Sequence, residues 1–299
     1  MIAAAACWGV AATVAKDLFD AGVEPLELAQ ARSYVAAIGF SLLPGAWAPV
    51  ASASGARQKG GLRIDRSSAP GIVALGVSIA AVNAVYYLAI QRLAVAVALV
   101  LEYSAPVLVV AWTAIRARRY PPPLLLGTLA AALTGVVFVA ELPRGDIGEL
   151  DTVGLGLGML AAVFFSAYTL LSEEAGARFG PIPAMARAFL VAAGFWLLYQ
   201  VPRGWPEDLV DPDNLWRVLF VGIGGTILPF LLFIWGVGQV KSEKAAIAAT
   251  IEPPLAGAIA WVWLGERLSA MQIFGGLLIL AAIAGLQLDR RRPVIAPEP

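Results

Sequence analysis

Apolar residues run in long blocks along this chain, with no alternating period, and polar and turn-forming letters collect in the short breaks between the blocks. A helix needs roughly 20 mostly apolar residues to cross the hydrocarbon core of a bilayer. By that measure ten stretches qualify, at 2–19, 27–47, 70–90, 94–115, 122–140, 153–171, 182–201, 215–237, 244–264 and 270–288. The breaks read "ASASGARQKGGLRIDRSSAP", "RARRYPPP", "ELPRGDIGELD", "SEEAGARFGP" and "PRGWPEDLVDPDN", all short, so no soluble domain is expected. The first stretch is as short as a secretory signal and has small residues at Thr13 and Ala15. The basic lead-in of such signals is missing, however, so this span is expected to stay.

Charge then orients the bundle. With the N-terminus in the cytoplasm, Arg57, Lys59, Arg63, Arg66, Arg116, Arg118, Arg119, Arg178, Lys241, Lys244, Arg290, Arg291 and Arg292 fall inside. Lys16, Arg92, Arg144, Arg203, Arg217 and Arg267 fall outside, which satisfies the positive-inside rule. Ten spans return the C-terminus to the cytoplasmic side.

The second block carries "ARSYVAAIGF" and the seventh "ARAFLVAAGF", an offset of 187 − 32 = 155 between Arg32 and Arg187. The fourth carries "AVALVLEYSAP" and the ninth "AIAATIEPPLA", which aligns Glu102 with Glu252 at 252 − 102 = 150. Two halves of five spans follow, residues 1–145 and 146–299. Five is odd, so the second half sits upside down relative to the first. The expected fold is therefore an all-α integral membrane protein of ten transmembrane helices, built as two inverted five-helix repeats. In transporters of that plan the site lies near the midplane between halves that rock to give alternating access.

Composition narrows the chemistry. The chain is 60% hydrophobic, with a mean hydropathy of +0.78. Its 21 basic and 21 acidic residues balance, leaving no excess to neutralise nucleic-acid phosphates, so no nucleic-acid partner is expected. With no His and the single Cys7, it offers no intrachain disulfide, no zinc cluster and none of the His-dependent catalytic motifs. No cofactor, metal or catalytic group is expected, and the partners are a small-molecule substrate and the lipid bilayer.

Several segments resemble the drug/metabolite transporter superfamily in its ten-span EamA-type form: "CWG" in the first span, "PLELAQARSYVAA" entering the second, "GMLAAVFFSAYTLLSEEA" in the sixth, and "EPPLAGAIAWVWLGERLSAMQIFGGLLILAAIAG" across the last two. The resemblance implies a basket-like bundle of ten helices in the inner membrane that moves small metabolites, commonly amino acids, out of the cytoplasm. The usual basic residues ahead of the first span are nearly absent here. The members it most resembles are aromatic amino acid exporters.

Ionisable groups at bilayer depth are costly and usually face a cavity or a partner. Glu102 and Glu252 are the two acidic candidates, to contact substrate, to carry a coupling proton or to brace the bundle as hydrogen-bonded struts. Proline has no N–H and its ring displaces the carbonyl four residues earlier. Pro106, Pro253 and Pro254 should therefore interrupt the fourth and ninth spans beside the acids, as hinges. Rings form a second set: Trp8, Tyr86, Tyr87, Tyr103, Phe165, Tyr168 and Trp235, with Phe164 nearby and Asn83 one turn from Tyr87. Stacking faces and a hydroxyl or indole N–H would suit an aromatic solute, although interfacial belts use the same residues. Trp47, Trp205, Trp216, Trp261 and Trp263 fit the belt.

Arg32 and Arg187 are expected at the mouths of their spans, snorkelling to headgroups or holding a substrate carboxylate. Lys16 and Asp17 could form an outer gate. "GLGLG" at 154–158 lacks the strand of a dinucleotide loop and reads as a small-residue packing face.

The function expected is a monomeric secondary transporter that exports amino acids, aromatic ones first. The alternative is a nucleotide-sugar or phosphorylated-metabolite exchanger, which would need cationic clamps deep in the bundle. An intramembrane enzyme would need a nucleophile and base, which the sequence does not pair.

Overall fold

The computed structural model describes residues 1–43, 68–93, 95–142, 151–203, 211–255, 258 and 269–289; the side chains of 13, 16, 17, 20, 95, 96 and 287–289 lie outside the description. Every regular element among these residues is helical. In chain order they are α1 (Ile2–Asp20), α2 (Pro25–Leu42), α3 (Ala69–Ile90), α4 (Val95–Glu102), α5 (Ala105–Ala117), α6 (Pro123–Val139), α7 (Thr152–Phe179) and α8 (Pro181–Gln200). Then come α9 (Pro212–Gly222), a π-helical turn (Ile223–Ile227), α10 (Leu228–Val240), α11 (Ser242–Ala249) and α12 (Ala270–Asp289). The proposed gate pair Lys16–Asp17 and the tryptophans at 47, 205, 261 and 263 lie outside the described side chains.

Helix ends follow local chemistry. α2, α6, α8 and α9 each begin on a proline, whose missing N–H costs nothing in the first turn. Asp151 caps α7 by accepting a hydrogen bond from the Val153 N–H at 2.8 Å. Gly180, at φ 83°, makes the sharp link from α7 into α8, a conformation glycine adopts at least cost.

Two spans differ from the sequence expectation. The sixth was expected to end at 171, but α7 continues through "SEEAGARF" to Phe179, 28 residues or about 42 Å at 1.5 Å per residue. Glu173, Glu174 and Ala175 are good helix formers, and only Gly180 stops the run. The extension is used: Glu173 Oε2 accepts the Ser242 N–H at 2.8 Å, at the start of α11. The eighth span is not a uniform helix but is interrupted by the π turn.

Five of the described helical stretches are long and apolar enough to cross a membrane: Ala69–Ile90, Val97–Ala117, Thr152–Phe179, Pro181–Gln200 and Pro212–Val240. Shorter apolar stretches lie in α1, α6 and α12. The first span is part of the bundle, with Ala4, Ala5, Ala15 and Leu18 buried in the main core. α2 packs on α8, where Phe40 and Phe189 stack at 5.3 Å, and α6 packs on α12, where Phe138 meets Phe274 edge-on. α3 lies against α7 and α8, and α1 against α9 and α10. A Cβ at Gly158 would lie 2.5 Å from the Leu101 side chain, and one at Gly154 2.8 Å from Leu93. "GLGLG" is thus where α7 closes on the third and fourth spans.

Candidate functional site: a charged cavity at two broken spans

Helix is interrupted both at Glu102–Pro106 and at Ala249–Pro253, the two places where the sequence sets prolines beside the acids. α4 stops at Glu102, Tyr103 and Ser104 turn, and α5 resumes at Ala105-Pro106. α11 stops at Ala249, Thr250 and Ile251 turn, and helix resumes over 252–255 at Glu252-Pro253. In both, a proline is the second residue after the turn, where its missing N–H is harmless. This local match sets Pro106 against Pro253, an offset of 253 − 106 = 147, three residues from the offset of 150 between the two acids. Glu102 is the last residue before its break and Glu252 the first after its own.

Between these breaks lies a cavity that leaves about 90 Å³ to the centres of water-sized solutes. That is room for several waters at roughly 10–15 Å³ each. Trp8 of α1 lines it, with Asn83, Tyr86 and Tyr87 of α3. Glu102, Tyr103 and Glu252 line it from the broken spans, and Phe165 and Tyr168 from α7. Of the ten residues singled out in the sequence, Trp235 stands apart: it is 57% exposed on the outside of α10 and does not line this space. Its neighbours Phe233 and Ile234 are buried instead, so the register of α10 turns the indole outward.

The rings form a connected wall. Trp8 packs on Phe230 and Phe233 at 5.6 and 5.5 Å, Tyr168 stacks on Phe233 at 5.2 Å, and Phe165 meets Tyr103 at 6.4 Å. The Tyr103 hydroxyl donates to Glu252 Oε2 at 2.6 Å, a short bond to a carboxylate that ties the two broken spans together.

Arg32 is not at a mouth. It is 7% exposed and lines the cavity. Its Nε donates to Thr226 Oγ1 at 2.9 Å, Nη1 to Asn83 Oδ1 at 2.7 Å and to the Tyr87 hydroxyl at 2.9 Å, and Nη2 to the Gly225 carbonyl at 2.9 Å. Snorkelling fails here because α2 carries Arg32 on its buried face, among Leu28, Ala29 and Ala36. Asn83 is itself fixed, its Nδ2 donating to the Ile79 carbonyl at 2.7 Å. The Arg32 guanidinium also lies 5.9 Å from the Tyr87 ring centre and 6.0 Å from that of Phe230.

The π turn makes this reach possible. Its wider winding presents the Gly225 carbonyl and the Thr226 side chain to Arg32, and the Thr226 hydroxyl donates to the Val221 carbonyl at 2.9 Å. A Cβ on Gly225 would run into Ala11, so glycine is required for α1 to come this close. Arg187, the sequence counterpart of Arg32, is buried at 2% exposure but elsewhere, donating to the Pro183 carbonyl at 2.8 Å beneath the Phe179 ring.

The depth of Arg32 and the contributions of Gly225, Thr226 and Phe230 are absent from the sequence expectation. The one available signal was "GIGGTILP", a Gly-Gly pair followed by a proline within an apolar run. Among the described residues, no three His, Cys, Asp or Glu side chains converge to hold a metal ion.

A multi-pass helical bundle closed around a charged, ring-lined cavity is the build of a membrane transporter. Residues 1–140 and 152–288 match the EamA-like transporter family, and the chain belongs to that family. It is 28% identical over 221 residues to the threonine/homoserine exporter RhtA of Salmonella typhimurium, covering 73% of this chain and 70% of that protein. Against RhtA of Escherichia coli K12 the identity is 28% over 223 residues, with the same coverage. An uncharacterized transporter of Archaeoglobus fulgidus is 29% identical over 202 residues, covering 66% of this chain and 69% of that one. A solved crystal structure shares the fold at TM-score 0.72, with 20% identity, covering 97% of this chain and 98% of that one.

Proposed function

We infer that this protein is a secondary transporter of the inner membrane that exports amino acids by alternating access, working as a monomer with both termini in the cytoplasm. The observation that carries the reading is the cavity itself: two carboxylates, an arginine and a wall of rings meet where two membrane spans break. Irregular backbone at that depth is tolerated only against protein or a water-filled space. The RhtA relatives, named as threonine/homoserine exporters, supply the substrate class.

Two inverted five-helix repeats, residues 1–145 and 146–299, account for the way the helices pair. Counting spans along the sequence, the second packs on the seventh (α2 on α8) and the fifth on the tenth (α6 on α12). The third on the sixth (α3 on α7) has its mirror in the eighth on the first (α10 on α1). Rocking about the breaks at Pro106 and at Pro253 and Pro254 would open the cavity to each side in turn.

The ring wall favours aromatic amino acids. The small free volume and the names of the RhtA relatives favour a second reading, small hydroxylated amino acids such as threonine. A nucleotide-sugar exchanger fits less well, because Arg32 is the one basic residue among the described lining of the cavity, where a phosphate would call for several cationic clamps. Counterflow in proteoliposomes with labelled phenylalanine, tryptophan, threonine, leucine, lysine and a nucleotide sugar tests this. Exchange of amino acids alone is expected, and exchange of the nucleotide sugar alone would overturn the reading.

A further inference from the structure

No described Asp or Glu comes within ion-pairing distance of Arg32, and its four hydrogen-bond acceptors are all neutral. A guanidinium has five N–H groups in a planar fork. Four are used, which leaves one on the nitrogen that bonds Gly225, and Arg32 contributes to the wall of the cavity. Burying an unpaired charge at bilayer depth is costly, and a fold that needed only a strut could use a neutral side chain there. On the same cavity, but on separate elements, lie the carboxyl groups of Glu102 and Glu252. Groups of opposite charge type thus line one small space, with no salt bridge between them among the described residues.

A solute bearing only an ammonium would leave Arg32 unmatched, and one bearing only a carboxylate would face the two acids. A solute carrying both satisfies each pole and remains neutral overall. We propose that Arg32 binds the carboxylate of the transported amino acid while Glu102 and the Tyr103-tethered Glu252 receive its ammonium, so that the cavity selects the zwitterionic head group and leaves the side chain to the rings. The assignment rests on the amino-acid reading given above. It makes Asn83, Tyr87 and Thr226 positioning residues, which aim the guanidinium and do not themselves define the substrate. Because the same guanidinium holds α3 and the π turn, a carboxylate arriving there is felt at once by elements of both halves of the chain.

The test is competition against counterflow of labelled threonine and labelled phenylalanine in proteoliposomes holding the wild-type chain. The competitors are the unlabelled amino acid, its methyl ester, its amide and its N-acetyl derivative. Loss of one charge-assisted contact is expected to weaken competition by roughly ten- to a hundredfold, for ester, amide and N-acetyl compound alike. An ester that competes as well as the free amino acid would overturn the assignment of Arg32, and an equally effective N-acetyl compound that of the two acids. Either result would leave the amino-acid reading standing. If neither amino acid exchanges while the nucleotide sugar does, it is the underlying reading that fails. Arg32→Lys keeps the charge but loses the fork, and the preference for free acid over ester is expected to shrink. An unchanged preference in a monodisperse Arg32→Lys protein would count against the proposal. Should that variant not fold, the wild-type analogue series decides alone.

Discussion

Arg32 Nε and Thr226 Oγ1, 194 residues apart in the chain, are joined by a 2.9 Å hydrogen bond inside the bundle. The bond links α2 to the π turn between α9 and α10, and the Thr226 hydroxyl itself donates a hydrogen bond to the Val221 carbonyl at 2.9 Å. Thr226→Val keeps the shape and removes the hydroxyl, leaving a buried charged donor short of an acceptor. The expected cost is about 1–3 kcal/mol, read as a lower melting temperature in detergent together with slower exchange. Thr226→Ser, which retains the oxygen, is expected to stay near wild type. Equal melting of the valine and serine variants would show that the hydroxyl is not needed.

Tyr103 and Glu252 give a second cross-link, between the two broken spans. Tyr103→Phe preserves the ring that meets Phe165 edge-on and deletes only the 2.6 Å hydrogen bond to the carboxylate. The half-saturating substrate concentration is expected to rise by roughly tenfold, the size of one hydrogen bond to a charged group. Exchange kinetics in proteoliposomes measure it, and an unaltered half-saturation would remove Tyr103 from the site.

The prolines should act on rate more than on affinity. Pro106→Ala and Pro253→Ala each restore an N–H and relieve the ring clash that helps keep the helix open at the break. Exchange turnover is expected to drop several-fold with little change in half-saturation, because the hinge stiffens while the lining side chains stay. Initial rates over a range of substrate concentration separate the two. Wild-type turnover in both variants would dismiss the hinge role.

Trp8 and Trp235 offer a contrast between two indoles. Trp8 lines the cavity against Phe230 and Phe233, whereas Trp235 is on the outside of α10. Trp8→Leu is expected to weaken exchange of phenylalanine by about tenfold, in keeping with the area an aromatic partner buries. Trp235→Leu should leave the half-saturation within about twofold, since it touches nothing in the cavity. A strong effect at Trp235 alone would mean that another cavity carries the substrate.

How much of this could be read from the sequence varies with the kind of signal. The apolar blocks foretold an all-helical chain, because the demand for backbone hydrogen bonds in a bilayer leaves little but helix, and five of the described helical stretches are long and apolar enough to cross. The breaks beside Glu102 and Glu252 were legible because proline acts locally. The partnership of Tyr103 with Glu252 was not, since residues 149 positions apart meet only once the bundle is packed. Trp235 shows the limit of listing rings by span: in a helix that is apolar all round, no polar stripe marks which face turns inward. Arg32 was visible as an anomaly in an apolar run. Its depth depends on Gly225 and on a π turn, which the apolar pattern of the eighth span gives no means of placing.

Away from the membrane interior, Asp151 and Arg92 form an ion pair at 2.8 Å, with half of the Arg92 side chain exposed. The hydrogen bond from Arg92, with a further one from the Val153 N–H, holds the Asp151 carboxyl below its ordinary value. A depressed folded value means that the pair stabilises the protein above the unfolded Asp range, about pH 3.9, and that this contribution fades as pH falls through the folded value. Exposure and salt screening keep the contribution small. Asp151→Asn retains an acceptor for the α7 cap and deletes only the charge. The variant is expected to melt slightly below wild type near neutral pH in low salt, with the gap closing both in high salt and as pH is brought toward 3. Melting curves in detergent read both trends. A gap that persists in acid would show that the stabilisation does not come from the charge of the pair.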